Sequence, residues 1–186
     1  MALFDHILII LVLITASAFF SMSEISLAAA RKVRLQILEA EGDNRASRVL
    51  ALQQEPGNFF TVVQIALNAI AILGGILGEQ ALTPYFAKLF THAFGLQSWI
   101  ETLSFACSFL FVTSAFILFA DLMPKKLAMI APEKVAIWVV NPMLFCGKLF
   151  KPLVWVFNGL SEFLFRILNL PTERDEQMTQ DELHAM

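Results

Sequence analysis

A carboxylate, a proline and two lysines follow one long apolar stretch of this sequence. The uncharged run from Thr102 to Ala120 ends at Asp121, and Pro124 and Lys125 follow closely. A carboxylate beside a membrane-length apolar segment is costly unless it has a partner or faces water, so it is by default a functional candidate. Proline removes a backbone donor and leaves carbonyls one turn upstream without partners. Free carbonyls beside a carboxylate predict a cation site at Asp121.

The composition is typical of a membrane protein. Of the 186 residues, 58% are hydrophobic and 16% are charged, whereas soluble domains average about 45–50% and about 25%. The net charge of −3 is too small to bear on nucleic-acid binding, but no basic cluster has the interleaved aromatic residues that a nucleic-acid groove needs, so we expect no nucleic acid as a partner. Cys107 and Cys146 lie inside apolar segments and are predicted to be packing residues. The usual metal-ligand, nucleophile and phosphate-loop motifs are missing, so we expect no enzyme.

Three apolar stretches are long enough to cross a bilayer. They predict an all-α integral membrane protein with spans at about residues 5–30, 56–78 and 102–121. The later apolar segments are shorter, which favours juxtamembrane or re-entrant helices at about 135–168. We predict that Glu79–Glu101 is the loop between the second and third spans.

The segments between the spans predict the topology. Arg31–Gln54 has mixed charge and a central Gly-Asp-Asn break, which predicts two short amphipathic helices. Basic residues cluster there and after the third span, whereas the second loop carries only Lys88. This distribution predicts an outside N-terminus and a cytoplasmic C-terminus. The tail is acidic, and the capping-box spacing from Thr179 to Glu182 predicts a new helix that continues into a further domain.

Three short motifs carry a resemblance to a known family. They are Phe20-Ser-Met-Ser-Glu24, Gln64-Ile-Ala-Leu-Asn68 and Asp121-Leu-Met-Pro-Lys125. With three predicted spans and an outside N-terminus, the chain resembles the CNNM/CorC transmembrane domain over essentially its whole length. The resemblance implies a transmembrane domain at 1–170, a homodimer, and a linker helix from 171–186 to paired cytoplasmic CBS domains. Nucleotide would bind in those CBS domains, and no cofactor is expected in this fragment.

The resemblance to magnesium-transporting members of this family is incomplete. Their ion lies in an inward-facing cavity and is bound by a serine, two asparagines and a glutamate. By position, Ser21 matches the serine and Asp121 replaces the glutamate, whereas Leu67 and Ala71 occupy the asparagine positions. Magnesium requires near-octahedral oxygen ligands, so two lost ligands put magnesium in doubt. If the cargo is a divalent cation, the expected ligands are Ser21, Asn68 and Asp121.

One branch of the family, the bacterial polyamine export proteins, resembles the chain more closely. The shared features are the motif from Phe19 to Leu27, the Gly74-Gly75 pair and the motif from Phe119 to Lys125. This likeness implies export of putrescine or cadaverine across a bacterial inner membrane. A diamine needs carboxylates for its ammonium groups, nearby acceptors, and apolar or aromatic walls for its methylenes. The candidate substrate-binding residues are Asp121, Ser21, Glu24, Asn68, Gln64, Ser23, Phe20 and Phe119.

Structural roles for these residues remain open alternatives. Asp121 could pair with Lys125 or Lys126 at the membrane boundary, and Glu24 with Arg31 or a hydroxyl group. The serines, Gln64 and Asn68 could serve only helix packing or interhelical hydrogen bonds. Two other functions also stay open: a transporter of divalent cations, and a regulatory membrane anchor that transports nothing.

Overall fold

Every regular element in the described part of the chain is a helix. The computed structural model describes residues 3–54, 56–95 and 97–168. The elements are α1 (Leu3–Ala29), α2 (Lys32–Ala40), α3 (Asn44–Gln54), α4 (Gly57–Phe94), α5 (Ile100–Ala115), a π-helical segment (Phe116–Leu122), α6 (Met123–Ile130) and α7 (Pro132–Ile167). The all-α prediction is confirmed for these residues, and the predicted linker helix at 171–186 lies outside them.

Four helical stretches are long and apolar enough to cross a membrane. They are Phe4–Ala29, Gly57–Phe94, Ile100–Ile130 and Pro132–Ile167. The prediction of three spans plus short juxtamembrane or re-entrant helices is therefore not confirmed. The segment predicted at about 135–168 forms the single helix α7, which continues through its lysines and internal prolines. Residues up to Lys148 belong to one compact unit, and the part of α7 from Leu149 onward belongs to a second unit.

The helix α4 extends well beyond the predicted span. It continues through Pro84 to Phe94, so the predicted loop over Glu79–Glu101 is wrong for most of its length. Proline removes one helical hydrogen bond, but membrane helices tolerate this loss because neighbouring groups satisfy the freed carbonyl. The chain leaves α4 at Gly95, whose positive φ of 73° is readily accessible to glycine.

The two amphipathic helices predicted after the first span are present as α2 and α3. Gly42 turns the chain between them with a φ of 97°. Asp43 Oδ1 then accepts a hydrogen bond of 2.9 Å from the Arg45 amide at the start of α3. The hydrogen bond from the Arg45 side chain, together with that amide bond, lowers the pKa of Asp43. At the other end of α3, Gln53 Nε2 donates to the carbonyls of Leu27 and Ala30, which ties α3 to the end of α1.

Two glycines allow α4 to pack closely against the third long helical stretch. A Cβ on Gly74 would overlap the Phe116 ring, and one on Gly78 would overlap the Val112 side chain. Both partner side chains are buried. Because small residues at helix interfaces let backbones approach closely in membranes, Gly74 and Gly78 position the π-helical segment against α4.

We expect Gly74→Ala to destabilise the protein, because overpacking a close contact costs about 1–3 kcal/mol. The neighbouring Gly75 is a matched control, since a Cβ there would meet nothing within 4 Å. Gly75→Ala should leave stability unchanged or raise it slightly through helix propensity. Thermal unfolding of the purified variants in one detergent measures both effects. Equal melting temperatures for the two variants would contradict close packing at Gly74.

Candidate functional site

Asp121 lies in the last turn of the π-helical segment, just before Pro124 at the start of α6. The amide of Met123 donates to the Leu118 carbonyl five residues earlier, immediately before Pro124, which cannot donate a backbone hydrogen bond. Between Asp121 and Pro124 the chain does not break but passes through this widened turn directly into α6. Such π-turns occur frequently at functional sites.

Ser21 joins α1 to this widened turn. Its side chain is fully buried. The Ser21 hydroxyl lies 2.8 Å from Asp121 Oδ1 and 3.3 Å from the Asp121 backbone carbonyl, and donates to both. One hydroxyl of α1 therefore contacts both the carboxylate and the backbone of the predicted site residue.

The ammonium group of Lys125 lies between two carboxylates. Its Nζ is 2.8 Å from Asp121 Oδ1, one helical turn away, and 3.4 Å from Glu24 Oε2 on α1. The three side chains are only partly exposed: 30% for Lys125, 44% for Asp121 and 25% for Glu24. With both carboxylates ionised, the cluster carries one uncompensated negative charge. We call Ser21, Glu24, Asp121 and Lys125 the acidic cluster.

Arg31 is not the partner of Glu24. The Arg31 Nε donates instead to Glu133 Oε1 at 3.1 Å, and the Arg31 amide lies 3.5 Å from the same oxygen. The alternative pairing of Glu24 with Arg31 is therefore wrong, whereas that of Asp121 with Lys125 is present. Lys125 was not among the candidate site residues. Its spacing of four residues from Asp121 is the signal that marks such a pair on a helix.

Within the described residues, the other candidates on α1 and the π-helical segment make no hydrogen bond to the acidic cluster. Ser23 is buried, and its hydroxyl donates to the Phe19 carbonyl of its own helix at 2.7 Å. Phe20 is also buried and packs edge-to-face on Phe19, with ring centroids 5.5 Å apart. Phe119 is half exposed. Phe20 and Phe119 thus differ in their access to a ligand.

The two amide candidates on α4 make no hydrogen bond to the acidic cluster within the described residues. Gln64 and Asn68 are both exposed and lie one turn apart on the same face of α4. Of the ligands expected for a divalent cation, Ser21 and Asp121 are in direct contact, and no hydrogen bond joins Asn68 to either of them in that part of the chain.

Long apolar helices, with an ionic cluster between α1 and the third long stretch, define the chain as an integral membrane protein. The family model of the cyclin M transmembrane N-terminal domain matches residues 8–186. The chain therefore belongs to the CNNM family.

Several relatives of known name are similar over nearly the whole chain. The polyamine export protein of Escherichia coli K12 is 54% identical over 182 residues, which cover 98% of this chain and 40% of the relative. The polyamine export protein of Salmonella typhimurium is 53% identical with the same coverage. That of Haemophilus influenzae is 48% identical and covers all of this chain and 43% of the relative. The chain thus spans about two fifths of these relatives.

We expect Ser21→Ala to lower the stability of the protein, because it removes the hydrogen bond from the Ser21 hydroxyl to Asp121. Interhelical hydrogen bonds in membranes average about 0.6 kcal/mol and reach about 1.7 kcal/mol. Ser23→Ala is the matched control, because that equally buried hydroxyl bonds only within its own helix. In double-mutant cycles with Asp121→Asn, thermal unfolding should show coupling for Ser21 and additivity for Ser23. Additive behaviour at Ser21 would refute the contact as a source of stability.

Proposed function

We propose that the chain is the membrane domain of a polyamine exporter, which moves putrescine or cadaverine out of the bacterial cytoplasm. The observation that carries this proposal is the primary ammonium of Lys125, held between Asp121 and Glu24. A lysine side chain is a primary ammonium on a short methylene chain, and each end of a linear diamine has the same chemistry. The names of the similar proteins from E. coli, S. typhimurium and H. influenzae support the same substrate class.

In this proposal, one ammonium of the diamine replaces that of Lys125 in the acidic cluster. Asp121 is the main counter-charge, Glu24 the second, and Ser21 holds the Asp121 carboxylate in place through its hydroxyl. While Lys125 is still in place, the uncompensated negative charge of the cluster attracts an arriving ammonium, and this attraction is strong in a medium of low dielectric constant. The ammonium of Lys125 must then leave the carboxylates, so substrate binding and movement of Lys125 are coupled.

The remaining candidates take supporting roles in the proposal. Phe119 and Phe20 supply aromatic surface for the methylenes and the cation, and Ser23 supplies a further hydroxyl acceptor from α1. Gln64 and Asn68 supply acceptors from α4 for the second ammonium as the cation passes. We further propose a homodimer in the bacterial inner membrane, with the N-terminus outside and the C-terminus cytoplasmic, an orientation that requires an odd number of the four candidate stretches to cross the bilayer. Alternating access follows from rocking helices, or from a proton or sodium ion exchanging at Asp121.

Electrostatic repulsion disfavours binding of a divalent cation at Asp121. The Lys125 ammonium contacts Asp121 Oδ1 directly and would repel the two charges of a compact metal ion more strongly than the single charge at one end of a diamine. Magnesium also requires close to six oxygens at about 2.0–2.1 Å, and the positions of Leu67 and Ala71 supply no side-chain ligand. We therefore place a polyamine ahead of magnesium as the transported cation, and ahead of a non-transporting regulatory anchor.

We expect Asp121→Asn in the full-length protein to reduce putrescine accumulation in everted membrane vesicles about tenfold or more, because a charge-assisted contact is lost. Asp121→Glu should retain part of the activity. Glu101→Gln, which removes an exposed carboxylate from the first turn of α5, is the matched control and should accumulate putrescine normally. Protein levels in the vesicles are measured alongside transport.

Adding magnesium to the same vesicles distinguishes a polyamine exporter from a divalent-cation transporter and from a non-transporting anchor. The proposal requires that millimolar magnesium leave putrescine accumulation largely intact. Normal accumulation by Asp121→Asn would overturn the assigned site. Magnesium transport that depends on Ser21, without putrescine transport, would establish a divalent-cation transporter, and transport of neither cation by folded protein would support the regulatory anchor.

We expect Lys125→Met to bind putrescine more tightly, because it removes the competing ammonium and keeps an apolar stem. A partly exposed ion pair contributes up to about 1 kcal/mol, so half-maximal thermal stabilisation should need about two- to fivefold less putrescine. Lys126→Met removes an exposed neighbouring charge and should behave like the unaltered protein. Weaker binding by Lys125→Met than by Lys126→Met would contradict displacement of Lys125 by substrate.

A further inference from the structure

A second charged feature lies apart from the acidic cluster, in a cavity of about 460 Å³. The cavity forms where the end of α1 and the start of α2 meet the corner between α6 and α7. Its lining includes the basic residues Arg31, Arg34 and Lys134 and the acidic residue Glu133. The lining therefore has an excess of positive charge.

The one carboxylate in the cavity wall is already engaged. Glu133 is buried, and its Oε1 accepts from the Arg31 Nε at 3.1 Å and faces the Arg31 amide. The terminal nitrogens of the Arg31 guanidinium are not used by that bond. Within residues 3–54, 56–95 and 97–168, no ion pair involves Arg34 or Lys134. The cavity thus presents hydrogen-bond donors and positive charge to an anion.

The ends of the long helices place this cavity at the boundary of the membrane. Two of the candidate spans end beside it, at Ala29 and Ile130, and a third begins beside it at Pro132. Phospholipid phosphates lie at this boundary, between the hydrocarbon and water. Basic pockets between transmembrane helices at the cytoplasmic side are known to bind anionic lipid head groups.

Exposed apolar side chains flank the basic groups. Met129 and Ile130 at the end of α6 are 63% and 79% exposed, and Val33 and Ile37 on α2 are 69% and 54% exposed. Val33 and Ile37 line a second cavity of about 420 Å³, which shares Arg31 and Arg34 with the first. Positive charge beside apolar surface matches a ligand that carries a phosphate on acyl chains, whereas a free phosphate would use only the charge.

We propose that the cavity between Arg31, Arg34 and Lys134 binds the phosphate of an anionic phospholipid, with the acyl chains along Met129, Ile130 and the apolar face of α2. The three basic groups share the phosphate oxygens, and Glu133 holds the Arg31 guanidinium in position. This inference does not depend on the transported cation, because no residue of the acidic cluster lines the cavity.

The test compares lipid retention by the full-length protein and two doubly substituted variants. Protein from phosphatidylcholine nanodiscs containing a minor fraction of phosphatidylglycerol is released and examined by native mass spectrometry for bound phosphatidylglycerol. Arg34→Gln with Lys134→Gln should weaken phosphatidylglycerol binding on the order of tenfold. Lys148→Gln with Lys151→Gln removes two exposed charges elsewhere on α7 and should retain the lipid. Thermal unfolding of each variant verifies its fold.

A control with inorganic phosphate distinguishes binding of a lipid from binding of a free anion. The proposal requires that phosphatidylglycerol raise the melting temperature of the unaltered protein, and that equimolar inorganic phosphate fail to do so or to displace the lipid. Equal loss of lipid in both double variants would mean that lipid binding depends only on general charge attraction, and it would overturn the proposed site. Unchanged retention in Arg34→Gln with Lys134→Gln, or stabilisation by phosphate alone, would overturn it as well.

Discussion

The contact of the Lys125 ammonium with Asp121 and Glu24 is the interaction on which the arrangement of the helices around the acidic cluster depends. A single charged side chain within a membrane span costs about 2.5–3.5 kcal/mol by insertion scales. Three such groups are tolerable only when the ammonium offsets part of the carboxylate charge and the cluster keeps some access to water. Because Glu24 is on α1 while Asp121 and Lys125 are on the third long stretch, this charge pairing requires these elements to lie side by side.

Packing at the glycines of α4 also constrains the position of the helical turn that carries Asp121. Phe116 opens the π-helical segment and lies over Gly74, so the turn that carries Asp121 is anchored on α4 at one end. At the other end, Ser21 of α1 bonds to Asp121. The widened turn therefore lies between two neighbouring helices, each of which contacts it through a small residue. A bulkier residue at Gly74 would shift the turn and disturb the ionic contacts.

Local patterns in the sequence predicted some features well and others poorly. The Asp121–Lys125 pair can be predicted from the sequence because residues four apart meet on a helix. The helices α2 and α3 can be predicted because Gly42 separates two short amphipathic segments. The contact of Lys125 with Glu24 joins residues far apart in the chain, and no local pattern encodes it. Pro84 and the lysines of α7 suggested boundaries, but membrane helices tolerate internal prolines, so α4 and α7 continue. The exposed positions of Gln64 and Asn68 likewise depend on how α4 packs.

In the proposed function, the lysine within the acidic cluster limits which cations can bind there. An entering cation must match the hydrogen bonds that Lys125 already donates, because otherwise Lys125 returns to the carboxylates. A primary ammonium has the same three donors and the same charge as the Lys125 side chain, so in the proposed exchange it re-forms the hydrogen bonds that Lys125 gives up. A strongly hydrated dication must lose water as well as displace the lysine. An exchange between matched groups would keep the affinity for substrate modest, which suits a carrier that must also release its cargo on the opposite side.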